Sequence, residues 1–214
     1  MVAVLLGLTG CGTASDLSPP AGVDQLTIPT PSPDPADFVA VVDNPWLPLR
    51  PGSTSTYDVS EADGNHALTV VVEAGPEIAG VATTARVSRE PERVVTDYFA
   101  QDTEGNVWWF GRQGAWRAGV AGAEAGIAML AVPRVGDGYR SAYAAGVVED
   151  TALVLSLDAI TTVPAGTYDD LVVIEERSAL EAGTRTVSYA RGIGPVEEDV
   201  VAGDFRTVRL VRAG

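Results

Sequence analysis

The chain has 214 residues, of which 46% are hydrophobic, and 29 acidic residues face 14 basic ones for a formal net charge of −15. That apolar content excludes disorder over most of the length, and that charge repels phosphate backbones and anionic headgroups, which argues against nucleic-acid binding. Every basic residue is Arg, a bias that fits GC-rich coding and leaves no lysine for Schiff-base or general-base chemistry.

The first element is an apolar run, Val2 to Leu8, that ends in Leu8-Thr9-Gly10-Cys11, the pattern of a bacterial lipobox. A run of roughly 7 to 15 apolar residues with small residues before the cut reads as a secretory signal and is too short to span a bilayer. Cys11 is the only cysteine, so it has no disulfide partner within the chain. Attachment of diacylglycerol as a thioether accounts for it. The alternative is an unmodified Cys in an ordinary apolar N-terminus. No Arg or Lys precedes the run, which fits a start upstream of Met1. Residues 1–11 are therefore expected to be a lipoprotein signal ending in the lipidated Cys11. The protein is then exported and anchored by lipid to the outer face of the cell membrane.

Residues 12–37 carry Ser18-Pro19-Pro20 and Pro29-Thr30-Pro31-Ser32-Pro33-Asp34-Pro35 without apolar periodicity. They are expected to form a tether, since proline-rich chain extends at about 3.1 Å per residue. Residues 38–214 suffice for a single β domain. Asn44-Pro45-Trp46-Leu47-Pro48-Leu49 opens it. Its prolines exclude a helix, and its apolar residues point to a segment pinned on the core.

Strand patterns follow. Ser53 to Ser60 and Ala67 to Glu73 flank the turn Asp63-Gly64-Asn65 and read as a hairpin. Thr83 to Arg89 alternates. Arg93 to Gln101 and Val107 to Gly111 make a second hairpin across Asp102-Thr103-Glu104-Gly105-Asn106, rich in aromatic cross-strand neighbours. Ala121 to Ala131 alone has helical propensity, weakened by Gly122 and Gly126. In Leu153 to Ile160, Leu153, Leu155 and Leu157 share one face and Ser156 and Asp158 the other, so one face is expected to be buried and the other wet. Leu171 to Glu176, Thr184 to Ala190 and Asp204 to Arg212 are further strands, the last expected at an edge with a bulge. With few crossover helices to link parallel neighbours, the fold class is mainly β, a strongly curved antiparallel sheet, half-barrel or barrel-like, with at most one or two short helices.

Chemistry-bearing constellations are sparse. His66 stands alone beside a hairpin turn, with neither a second His nor spaced Cys for zinc nor a Ser-His-Asp set. Arg191-Gly192-Ile193-Gly194 lacks the third glycine and the strand-to-helix context of a dinucleotide fingerprint. Asp102 to Asn106 partly matches a calcium loop but has neither Gly at its sixth position nor Glu at its twelfth. Carboxylates at Glu149-Asp150, Asp169-Asp170, Glu175-Glu176 and Glu197-Glu198-Asp199 include pairs that could flank a cleft as general acid and base, although strand neighbours point to opposite faces. Alternation also separates Trp108 from Trp109. If one packs in the core, the other lines a groove or sits exposed.

Four segments carry a resemblance: Asn44 to Gly52, Asp102 to Gly111, Val163 to Tyr168, and Tyr189-Ala190-Arg191-Gly192-Ile193-Gly194-Pro195-Val196. Together they resemble an uncharacterised family of exported bacterial proteins over most of residues 40 to 200. The closing Tyr-x-x-Gly-x-Gly-x-Val is also similar to that of exported half-barrel proteins, whose broader class includes periplasmic lipoprotein carriers. The resemblance implies a curved antiparallel sheet around an apolar interior, in some members a lipid-binding cavity, and it offers no catalytic residues. Pro195 departs from the aliphatic residue common at its place, which puts the strand pairing there in question.

The sequence thus reads as a non-enzymatic, membrane-anchored lipoprotein with no cofactor and no metal. It is expected to bind an apolar or amphipathic ligand, or a protein partner, at the cell envelope. Trp46, Trp109, Met129 and Leu130 are the candidate ligand contacts, each also readable as plain core. A structural or adaptor lipoprotein without a ligand is the alternative, and a carboxylate-dependent envelope hydrolase is a further one.

Overall fold

A computed structural model describes residues 33–214. The expected signal, Cys11 and the tether up to residue 32 lie outside the described residues. A single turn of 3-10 helix, Pro35–Asp37, capped by the Asp34 side chain, is the one helical element among them.

The strands are β1 (Phe38–Val39), β2 (Thr54–Glu61), β3 (Gly64–Ile78), β4 (Val81–Arg89), β5 (Val94–Asp102), β6 (Val107–Arg112) and β7 (Trp116–Arg117). The second half holds β8 (Glu124–Met129), β9 (Gly138–Ala144), β10 (Val148–Val163), β11 (Gly166–Ser178), β12 (Thr184–Ala190), β13 (Gly194–Ala202) and β14 (Arg206–Arg212). Twelve of them close an antiparallel barrel in the order β5, β4, β3, β2, β14, β13, β12, β11, β10, β9, β8, β6, and the pairing of β6 with β5 shuts the ring. β1 hangs on β5 and β7 on β6. The expected curved sheet is therefore a complete barrel, with no open edge along the ring to recruit another strand.

Closure corrects the reading of the last strand. β14 is not an edge: Val208 pairs with Val59 of β2 and Glu198 of β13, which joins the first and last strands of the ring. The expected irregularity is present, a register shift between Leu210 and Arg212. Pro195 pairs with Tyr189 across a second shift between Ser188 and Tyr189, and β13 meets β14 only from Glu197 to Asp199. The strand thus absorbs the missing N–H.

Two further expectations are overturned. Residues 124–129 form β8 rather than a helix, and Gly126 shows why. A Cβ there would lie 2.5 Å from the Ser141 carbonyl carbon of β9, so only glycine permits this approach. On β10 the faces are reversed: Leu153, Leu155 and Leu157 point outward, 37%, 40% and 36% exposed, whereas Ala152 and Val154 are buried. The leucines do share one face, as alternation implies, but the closed ring turns that face outward and seats Ala152 and Val154 in the interior.

A barrel of about eight strands is just filled by its own side chains, so twelve leave room to occupy. Two apolar clusters fill much of it, one around Met129, Val154 and Ile174, the other around Val59, Val196 and Leu210. The Asn44 segment plugs one end. Val42, Leu47 and Leu49 are buried, and Asn44, 2% exposed, is bonded throughout. Its Nδ2 donates to the Gly105 and Leu130 carbonyls, and its Oδ1 accepts from the N–H groups of Trp46 and Leu47. Gln101 accepts from the Asp43 and Asn44 N–H groups, and Gly192 N–H donates to Pro45 O. A second apolar layer lies outside the ring, where Trp108 and Phe110 meet Phe38, Ile78 and Val81. Trp108 and Trp109 thus do face opposite ways.

Candidate functional site

At the end opposite the plug the interior stays open as a cavity of about 830 Å³. Its rim is built from the turns that join β2 to β3, β9 to β10, β11 to β12 and β13 to β14, and its inner wall from side chains that alternation turns inward. Five arginines and six carboxylates line it. The near balance contrasts with the charge of the whole chain, −15.

Arg185 of β12 stands at the centre of this wall. Its Nε donates to Glu176 Oε2 at 2.7 Å, and its NH1 lies 3.8 Å from Glu198 Oε1. It belongs to the inner wall, and 47% of its side chain remains open. Glu176 beside it raises the pKa of the guanidinium above its ordinary value. Across the wall, Arg112 bonds Asp97 through Nε at 2.8 Å and lies over the Trp109 ring, 5.1 Å from its centroid. Phe99 stacks on Trp109 at 6.5 Å and Trp116 meets it edge-on at 5.1 Å, so the indole is held from several directions.

Asp150 also faces the cavity, two residues along the ladder from Glu176. Burial pushes its carboxyl up, and the hydrogen bond from Ser178 and the charge of Arg185 only partly oppose this. Glu176 and Asp150 are thus inward members of two of the sequence's carboxylate pairs. Below them burial pushes the Tyr139 and Tyr189 hydroxyls up, and the Tyr139 hydroxyl has no hydrogen-bond partner.

One cluster escaped the sequence reading. His66 is on β3, not merely beside a turn, and its Nε2 lies 3.0 Å from Glu90 Oε2. Glu61, His66 and Glu90 offer ligand atoms within 4.8 Å of one another. Arg206, however, binds both carboxylates, with its NH2 2.9 Å from Glu90 Oε1. Its guanidinium stands where a metal cation would compete, so the arrangement is an ion-pair network that staples β14 to β2 and β4. Its bonded partners are 24 to 145 residues apart in sequence, which hides it from motif reading.

The candidate ligand contacts separate. Trp109 lines the cavity. Met129 is fully buried in the core, against which Trp46, Trp109 and Leu130 pack. Trp46 sits at the plug beneath the Arg191 guanidinium, 4.6 Å from its ring centroid, and the Leu130 carbonyl holds Asn44. The Asp102 turn is engaged internally, its carboxylate accepting from Asn106 and from the Trp108 indole at 2.8 Å.

No family model matches the chain, and no curated protein matches it. Among solved structures, a candidate exported protein with YMCC-like fold from Bacteroides fragilis aligns over 79% of this chain and 98% of its own, at 14% identity and a TM-score of 0.48. A candidate lipoprotein from Parabacteroides distasonis aligns over 78% and 97%, at 12% identity and a TM-score of 0.36. At these values neither likeness bears on function.

Proposed function

We propose that the protein is an exported lipoprotein, held at the outer face of the cell membrane by diacylglycerol on Cys11, whose barrel binds a small amphipathic ligand without reacting with it. The lipobox Leu8 to Cys11 and the proline-rich stretch that follows support the address. The observation that carries the binding reading is the cavity at the open end of the barrel. Its volume of about 830 Å³ falls within the range of small-molecule sites, roughly 300 to 1,000 Å³. Against a catalytic role, Glu176 is committed to an ion pair with Arg185, and the Ser178 hydroxyl beside Asp150 is spent on a hydrogen bond to that carboxyl. Trp109 is the ligand contact retained from the sequence. Trp46, Met129 and Leu130 shape the core and plug behind it.

Native mass spectrometry tests this on the full chain carrying Cys11→Ser, exported from a bacterial host and never exposed to detergent. A stoichiometric small molecule supports the reading. A clean apo mass shifts it to the adaptor alternative, which one observation favours: the outward face of β10 exposes Leu153, Leu155, Leu157 and Ile160 in a single strand.

A further inference from the structure

We infer that the cavity takes its amphipathic ligand head group first, with an overall-neutral hydrogen-bonding head group in the polar well and the apolar part against Val147, Leu180 and Phe205 at the lip. This deepens the ligand-binding reading above and rests on it.

The lip is the first observation. Val147, Leu180 and Phe205 are 55%, 45% and 57% exposed, and all three line the cavity. They come from three separate connections, β9 to β10, β11 to β12 and β13 to β14, whose strands are consecutive in the ring. Turn tips ordinarily carry Gly, Asn, Asp or Ser, so a large apolar residue on each of three neighbouring connections marks an apolar arc at the opening.

The well beneath is the reverse. Its wall presents Arg112, Asp150, Glu176 and Arg185, and the paired groups keep open surface toward the cavity. An acyl chain driven into it would strip water from these groups and return no hydrogen bond, a cost that apolar contact does not recover. A head group that both donates and accepts joins the wall without breaking any ion pair. The near balance of five arginines and six carboxylates selects against a strongly charged head group, and the overall charge of −15 disfavours anions at long range. The polarity is thus opposite to that of an apolar-interior carrier, in which the chain goes in and the head stays out.

The test is isothermal titration of the full chain carrying Cys11→Ser with four amphiphiles of equal chain length, each below its micelle concentration. Dodecylphosphocholine and dodecyl maltoside have overall-neutral head groups, dodecanoate is anionic and dodecylamine is cationic. At least one neutral amphiphile is expected to bind about tenfold more tightly than either charged one. Phe205→Ser combined with Leu180→Ser, both at exposed positions, is expected to weaken that binding about tenfold by removing the apolar rest. Glu176→Gln is expected to weaken binding of the chain-free head group, glycerophosphocholine or maltose, which the lip substitutions leave unchanged. Tighter binding of dodecanoate or dodecylamine, or indifference to the lip substitutions, overturns the head-first inference and leaves the ligand-binding reading standing. Absence of binding by all four overturns both.

Discussion

Arg185 and Glu176, on neighbouring strands, are joined through Nε and NH2 of one and Oε2 of the other in the wall of the open well. A pair in this position is stabilised by its enclosure yet remains half open, so it lies between the surface and buried extremes. Glu176→Gln is expected to cost about 1–2 kcal/mol, because Arg185 keeps its charge and loses its main partner. Pairing that change with Arg185→Met should recover part of the loss. Urea midpoints of the two single variants and the double variant measure the coupling; strict additivity would show that the two residues do not support each other.

Asn44 is expected to be the most sensitive polar position at the closed end. Asn44→Ala removes two donated and two accepted hydrogen bonds and leaves the buried Leu47 N–H and the part-buried backbone groups of Gly105, Leu130 and Trp46 without them. A loss of about 2–4 kcal/mol follows, together with a shift in Trp46 emission as the plug loosens. Equilibrium unfolding followed by fluorescence checks both.

Two carboxylates should give opposite pH slopes. Burial works to raise Glu90, but hydrogen bonds from His66 and Arg206 outweigh it and hold the carboxyl below its ordinary 4.5. Its contribution to stability is complete above about pH 4.5 and is lost as pH falls through the folded-state value. For Asp150, burial holds the folded carboxyl above its ordinary 3.8. The unfolded chain ionises first, so stability falls as pH rises from 3.8 through the folded-state value. Glu90→Gln should therefore flatten the acid limb of a stability profile, and Asp150→Asn should raise stability at neutral pH. A destabilised Asp150→Asn at pH 7 would contradict the second assignment.

The face reversal on β10 separates two substitutions one residue apart. Val154 is 1% exposed and Leu155 is 40% exposed. Val154→Ala should cost about 1.5–3 kcal/mol, whereas Leu155→Ser should stay within about 0.5 kcal/mol of the parent. Comparable losses at both positions would restore the leucine face to the interior.

Gly126→Ala should destabilise the fold by about 1–3 kcal/mol, since the new methyl meets the backbone of Ser141 and Arg140 rather than a side chain that can turn away. Thermal unfolding followed by circular dichroism reads the shift. A tolerated substitution would mean that β8 and β9 are farther apart than their register implies.

What the sequence determined by itself was local. Period-two alternation and turn residues such as Asp63-Gly64 and Gly105-Asn106 placed the hairpins β2–β3 and β5–β6, because each is written in residues close along the chain. Pro45 and Pro48 likewise marked the plug as non-helical, and the proposed address rests on the order of the apolar run before Cys11 alone. The tertiary structure decided what depends on partners far apart in sequence. Pairing of Val59 with Val208 closes the ring and makes an interior out of what otherwise remains a curved sheet. Closure then set the direction of each face and put the leucines of β10 outside with Ala152 and Val154 inside, a choice that parity along one strand cannot reveal. The polar well exists for the same reason. Asp150, Glu176 and Arg185 each alternate with outward neighbours and look like solvated surface in the chain. Only in a ring too wide to be filled by its own side chains do they converge on one space.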